Sequence, residues 1–463
     1  MTESTRAHAD AGASTRTLGV RSDAMPHVQG RPALEPVRLT GREGVNSLFE
    51  YELFLKTTGA FIGGASAADL DLDSFIGRDL SCSIELDGAG VREINALVTD
   101  AALIGEVGRH VEYKLTLRPW LHLATLHADC RIFQNLSVVQ ILDELPSPYP
   151  YPVERRLHGL GRPDGALYPL RDYQTQFNES DFAFFERLCQ EWGLSYHFEH
   201  GQGKHRLVLT DAMAAYRENP SAAYRRVEFH PPGWKIDAEY LHRFVPEHHL
   251  TSGRYTTRDH DYTRPRADLT QTRSDPRPTG QADAEVYQWH HGQAGSHYAQ
   301  PRAGSSQGGG NDPQEEGRHL ALLRMQALRS HGARARAGGN LRGMVPGCTF
   351  RLDKHPSDHA NAEYLILDTV LLLEDVAQET TAQDARRAQR WRVEVDLTAH
   401  PLQEPLRPAL TRTKPHTQGP QTALVVGPEG QNLWSDELGR IKVQFPWDRL
   451  GQKNQHSSCW VRV

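Results

Sequence analysis

The stretch VNSLFEYELFLK, residues 45–56, has the alternating pattern of a half-buried strand. SCSIELDG (81–88), HVEYKLTLRP (110–119) and HRLVLTD (205–211) repeat it. Turn chemistry punctuates these runs, as at Asp87-Gly88 and Gly201-Gln202-Gly203. Alternate side chains share a face only on a strand, so the spacing predicts a mainly β chain with helices inserted, α+β in class.

Three inserted helices are legible. Ser137 followed by Gln140 is a capping-box pattern, and Val138, Ile141, Leu142 and Leu145 then share one face. Ser180 can cap a second helix with Asp181 in its first turn. Phe182, Phe185, Leu188, Cys189 and Trp192 form its apolar stripe, and Gly193 is its stop. A third begins at Asp312-Pro313 with Glu315 at the N3 position, and runs through Leu320 and Leu323 to Gly332.

Composition divides the chain. Residues 1–35, rich in Ser, Thr, Ala and Arg, are expected to be a disordered extension, and the first strand is expected near Pro36. AGSSQGGGN (303–311) reads as a flexible loop before the third helix. PLQEPLRPALTRTKPHTQGP (401–420) reads as an extended proline-rich linker. Beyond it a strand is expected at Ala423 to Val426. Ile441, Val443 and Phe445 then alternate with Lys442 and Gln444, and Cys459, Val461 and Val463 with Trp460 and Arg462. The chain ends as that last strand begins, so a truncated sheet is expected.

Function classes narrow next. The net charge of -6 gives no global pull toward nucleic acid or anionic lipid. No stretch approaches the roughly 18 apolar residues that cross a bilayer, so stable membrane insertion is not expected. The first 25 residues lack the apolar core of a secretory signal. Cys82, Cys130, Cys189, Cys348 and Cys459 are dispersed and odd in number, which suits reduced thiols in a cytosolic folding compartment.

Chemistry-bearing motifs are scarce. There is no Walker phosphate loop, dinucleotide glycine fingerprint, nucleophile elbow or HExxH helix in the sequence. EHHL (247–250), DHDY (259–262) and QWHHG (288–292) are histidine-rich, but neighbours on a strand point to opposite faces. His248-His249 and His290-His291 are therefore poor chelating pairs, and neither a metal nor a cofactor is expected. Glu179 and Asp181 could act as an acid and base pair. Helix capping by Ser180 and Asp181, with Glu179 in an ion pair, is preferred. Asn135-Leu136-Ser137 and Asn178-Glu179-Ser180 match the glycosylation pattern by chance, and Trp120, Trp192 and Trp447 are expected in the core. No catalytic residue is nominated.

Longer motifs carry a resemblance. They are GREGVNSLFEYEL (41–53), FIGRDL (75–80), KLTLRPWLHLATLHADCRIFQNLSVVQIL (114–142) and RDYQTQFNESDFAFFERLCQEWGLSYHFEH (171–200). DHDYTRPRADL (259–269), GPQTALVVGPEG (419–430), DELGRIKVQFPWDRLG (436–451) and SSCWVRV (457–463) follow in order. From Pro36 to Val463 the chain resembles the VgrG family, the spike of the bacterial type VI secretion system. More distantly it resembles the hub and spike proteins of contractile phage baseplates.

The resemblance implies a non-enzymatic homotrimer. Residues 36–400 would be a hub-like base with two tube-type β-barrels and helical insertions, and 421–463 the start of an incomplete OB-fold-like barrel. Three bases would cap the Hcp tube among baseplate proteins, and the missing C-terminal part would carry a PAAR-repeat tip protein and effectors. The chain would be cytoplasmic in its producer and exported by the type VI machine. A phage or tailocin hub is the alternative.

Overall fold

The computed structural model describes residues 18–463 except 29, 60–64, 87–89, 160–167, 234–237, 291–296, 301–310, 377–390 and 432–433. The Asp87-Gly88 turn and nearly all of the 303–311 loop lie outside the described residues. Alternation becomes burial where the sequence shows it. In Glu50–Thr57 the side chains of Tyr51, Leu53, Leu55 and Thr57 face inward, and in Asp79–Glu85 those of Leu80, Cys82 and Ile84.

These strands belong to a 13-stranded sheet. From one edge the order is Leu18–Arg21, Asp79–Glu85, Val91–Val107, His110–Arg118, Glu50–Thr57 and Leu34–Gly44. It continues through Glu363–Asp375, Trp391–Pro401 and Ala333–Gly339 to Leu241–His248. Cys348–Asp353 branches from Glu363–Asp375 and takes two short parallel strands, Arg217–Glu218 and Arg226–Glu228. The sheet thus has an early and a late half. They join at one antiparallel seam, where Gly44 to Arg38 pair with Asp368 to Glu374.

Between the halves lies a two-stranded ribbon of Ala128–Ser137 and Leu170–Ser180, each strand running straight into a helix. Ser137 caps α1 (Val138–Glu144) with a complete capping box, its Oγ accepting from the Gln140 N–H while its own N–H donates to Gln140 Oε1. Ser180 caps α2 (Asp181–Trp192) by accepting from the Ala183 N–H. Both turns begin with an Asn in the left-handed region, Asn135 at φ 53° and Asn178 at φ 49°. The two apparent glycosylation matches are therefore one strand-to-helix turn used twice.

α2 stops as the sequence predicts, at Gly193 with φ 65°. Its burial is wider than the expected stripe, because Phe184, Arg187, Gln190 and Glu191 are buried as well. α3 (Pro313–Ser330) is capped by Asp312. Gly317 lets it lie against Tyr298, whose ring is 2.7 Å from where a Cβ would stand. No helix among the described residues is long and apolar enough to cross a membrane.

Three expectations need correction. Residues 18–35 are not a disordered extension. Leu18–Arg21 pairs with Asp79–Glu85, and Leu18, Met25, Ala33 and Leu34 are buried. Low apolar content misled here because a few buried residues and the pairing with Asp79–Glu85 hold the segment in place. Residues 401–420 are extended, but the segment's middle is packed down: Arg407 is buried and donates to the carbonyls of Gly193 and Asp211. Finally, the C-terminal sheet of Leu424–Val425, Arg440–Gln444 and Cys459–Arg462 does not simply turn its apolar face inward. Arg440, Lys442 and Gln444 are buried, while Val461 and Val463 are exposed.

Candidate functional site: the junction with the C-terminal sheet

The buried polar face of Arg440–Gln444 has a reason, because it meets the polar face of the ribbon. Lys442 Nζ donates to Gln134 Oε1 at 2.7 Å, and Gln134 Nε2 donates to the His456 carbonyl at 3.0 Å. Arg440 spans Asp436 at 2.7 Å and Asp172 at 3.1 Å, and Arg449 reaches Asp129 at 2.7 Å. Trp447 stacks on Phe445 and meets the Phe177 edge, and the Arg462 guanidinium lies 4.5 Å from the Tyr262 ring centre. Asp448 organises the turn between strands, accepting from the Ser458 hydroxyl at 2.6 Å and from the Gly451 N–H at 3.0 Å. This junction is a latched polar contact that fixes where the C-terminal sheet emerges from the body.

The acidic group beside α2 is occupied structurally. Glu179 forms a two-pronged ion pair with Arg187, at 2.8 and 2.7 Å. Asp181 accepts from Gln176 and contacts His127 Nδ1 at 2.9 Å. Ser180 spends its oxygen on the cap. Trp120 and Trp192 are buried as expected, and Trp447 is half-buried.

A second polar centre was not legible in the sequence. Glu43, Tyr51, Arg92 and His200 converge from four strands: Tyr51 donates to Glu43 at 2.8 Å, and His200 Nε2 lies 3.2 Å from its other oxygen. Arg92 adds the carbonyls of Arg342 and Met344, at 3.0 and 3.1 Å. Burial pushes the Glu43 carboxyl up, but His200 and Arg92 outweigh it and hold the group below its usual range. Each polar group here is satisfied by another within the protein, so the centre fastens the early half of the sheet to the 342–344 loop.

The histidines divide differently from their clusters. His248 meets Arg277 at 3.1 Å, and His249 faces Glu247 at 3.8 Å. His290 instead comes together with His297 and with Asp259 of DHDY, their nearest ligand-type atoms all within 4.8 Å. These donors are separated by 31 and seven positions; strand pairing brings Asp259 to His290, and the Asp259 carboxylate brings in His297.

The model of the phage tail baseplate hub (GPD) family matches residues 42–377. The chain is 32% identical over 430 residues to the type VI secretion system spike protein VgrG1a of Pseudomonas aeruginosa, covering 92% of this chain and 60% of that one. To VgrG1b of the same organism it is 32% identical over 438 residues, covering 94% and 54%. It therefore spans somewhat more than half the length of these relatives. Among solved structures it is similar to an Escherichia coli component of the type VI secretion system, itself described as structurally similar to the bacteriophage T4 tail proteins gp27 and gp5. That likeness has a TM-score of 0.60 at 16% identity and covers 93% of this chain and 89% of that one.

Proposed function

The chain belongs to the phage tail baseplate hub (GPD) family, and from that premise we propose that it forms the base of a type VI secretion spike. Three copies would join their sheets into a ring of pseudo-sixfold symmetry, each copy contributing two tube-type units from its early and late halves. The ring would cap the Hcp tube, and the C-terminal sheet would lead into a needle bearing a PAAR-repeat tip and effectors. The machine would carry the assembly out of the cell that made it.

The observation that carries this reading is the 32% identity to named spike proteins through more than nine-tenths of this chain. A two-half sheet and a latched C-terminal sheet are the parts such a base needs. We assign no catalysis to this region, since Glu179 and Asp181 are both engaged in structural contacts. The family description equally favours a hub in a contractile phage or tailocin particle as the second reading.

The test is light scattering of the 52.0 kDa chain, alone and with hexameric tube protein. A particle of three times that mass that binds the tube ring is expected. A strict monomer with no affinity for the ring would overturn the proposal. Recovery of the native protein only in phage-like particles would favour the second reading.

A further inference from the structure

We infer that Asp259, His290 and His297 form a binding site for one divalent transition-metal ion of the zinc class. The fold brings them together by strand register. Arg254–Arg258 pairs in parallel with Glu285–Trp289, with Arg258 opposite Trp289. Parallel strands leave a sheet at the same edge, so the next residue of each, Asp259 and His290, stand side by side. His297 is returned to that edge by Asp259 itself, whose Oδ2 accepts the N–H groups of Tyr298 and Ala299 at 2.7 and 2.8 Å. The backbone bonds thereby hold the carboxylate as a second shell would, with Oδ1 accepting the His260 N–H at 2.8 Å and turned to the imidazoles.

The spacing suits a small ion. Oδ1 lies 2.9 Å from His297 Nδ1, a hydrogen bond whose proton a bound ion would displace, and 3.1 Å from His290 Nε2. Ligands bound to zinc at about 2.0–2.1 Å in a tetrahedron stand roughly 3.3 Å apart, so these edges need only a few tenths of an ångström. His290 Nε2 is buried and makes no hydrogen bond despite its closeness to Oδ1. A buried nitrogen beside a carboxylate but not hydrogen-bonded to it is one that a cation held by both would satisfy. The rings are packed with centroids 3.8 Å apart, and His290 is held at φ 52°, a conformation uncommon outside glycine.

Two imidazoles and a carboxylate are borderline ligands that select zinc and its neighbours over magnesium or calcium. The His297 side chain is 55% exposed, which leaves a path for the ion and room for water as a fourth ligand. The consequence would be mechanical. Arg171 donates to the His297 carbonyl at 2.6 Å and pairs with Glu316 of α3, so a bound ion would staple the small sheet of Gln271–Ser274, Arg254–Arg258 and Glu285–Trp289 to the ribbon and α3.

The test is titration of chelator-treated protein with zinc chloride by calorimetry, with metal analysis after dialysis and the visible spectrum of the cobalt-substituted protein. One zinc per chain, tetrahedral cobalt bands and a zinc-dependent rise in Tm are expected. H290A and H297A should each weaken binding at least tenfold, while H248A/H249A should leave it unchanged. The His297 side chain is more than half exposed, so H297A should keep the wild-type circular dichroism. Substoichiometric zinc, or equal affinity in H297A and H248A/H249A, would overturn the inference and mark adventitious binding by surface histidines.

Discussion

Arg171 of the ribbon and Glu316 of α3 form an ion pair 2.5 Å long, with side chains 0% and 1% exposed. The same guanidinium holds the His297 carbonyl, so three separate segments meet at one buried charge. Removing either partner alone leaves the other charge buried and unmatched, at about 3–5 kcal/mol. Arg171→Met and Glu316→Met should each lose that much in urea unfolding, and the double variant should recover most of it. Additive losses in the double variant would show that the two groups do not depend on each other.

Acid should loosen the fold through two buried histidines. His205 Nε2 accepts from the Trp120 N–H at 2.8 Å, and burial, reinforced by His200, pulls its pKa down to about 3. His400 Nδ1 accepts from Arg334 while its Nε2–H faces the Glu404 carbonyl at 3.0 Å; burial, reinforced by Arg334, pulls it to about 4. Below the unfolded value near 6.5 the unfolded chain binds protons that the folded chain refuses. Stability is therefore full above that pH and falls as pH drops toward the folded values, by up to about 1.4 kcal/mol per unit for each histidine. Urea midpoints between pH 7 and 5 should show this slope. His205→Gln/His400→Gln should flatten it, and an unchanged slope would place the acid lability elsewhere.

What the sequence made legible was local. Caps at Ser137, Ser180 and Asp312 and the stop at Gly193 involve residues within a few positions, so their chemistry sits in one short window. The seam of Leu34–Gly44 with Glu363–Asp375 joins residues more than 300 positions apart, and nothing in either strand names its partner. The inward Lys442 and Gln444 defeated the alternation rule because Lys442 meets a polar ribbon and Gln444 bonds the backbone of the following turn rather than an apolar core. Glu43 with His200, and Asp259 with His290 and His297, were hidden for the same reason. Their donors are scattered along the chain, and only tertiary pairing assembles them.

Thiol chemistry should single out one cysteine. Burial pushes Cys82 and Cys348 up to about 12 and Cys459 to about 11, and raises Cys189 well above its usual value. Those four are buried, whereas Cys130 is half-exposed on the ribbon. The thiolate is the reactive form, so a maleimide at neutral pH should label one site quickly in the native chain and five in denaturant. Cys130→Ser should abolish the fast fraction. Rapid labelling that survives this substitution would mean that one of the interiors opens readily.

The proline-rich segment offers the sharpest contrast between composition and structure. Arg407 donates to the Gly193 carbonyl at 2.9 Å, to the Asp211 carbonyl and to Gln326 Oε1 at 2.8 Å. A few residues on, the N–H groups of Thr411 and Arg412 both donate to Gln190 Oε1, at 2.9 and 2.8 Å. Composition alone would make this stretch a free tether, but its donors go to the Gly193 carbonyl at the end of α2, to the Asp211 carbonyl and to the Gln190 and Gln326 side chains. Arg407→Ala removes a charged donor from those carbonyls and should cost roughly 2–3 kcal/mol. Trypsin then gives the local readout. Cleavage after Arg412 should be slow in the native chain and markedly faster in the variant, while cleavage elsewhere is little changed. If the native chain is cut after Arg412 as fast as the variant, the segment is a tether after all, and the C-terminal sheet is held by its junction contacts to Gln134, Asp172, Asp129, Phe177 and Tyr262.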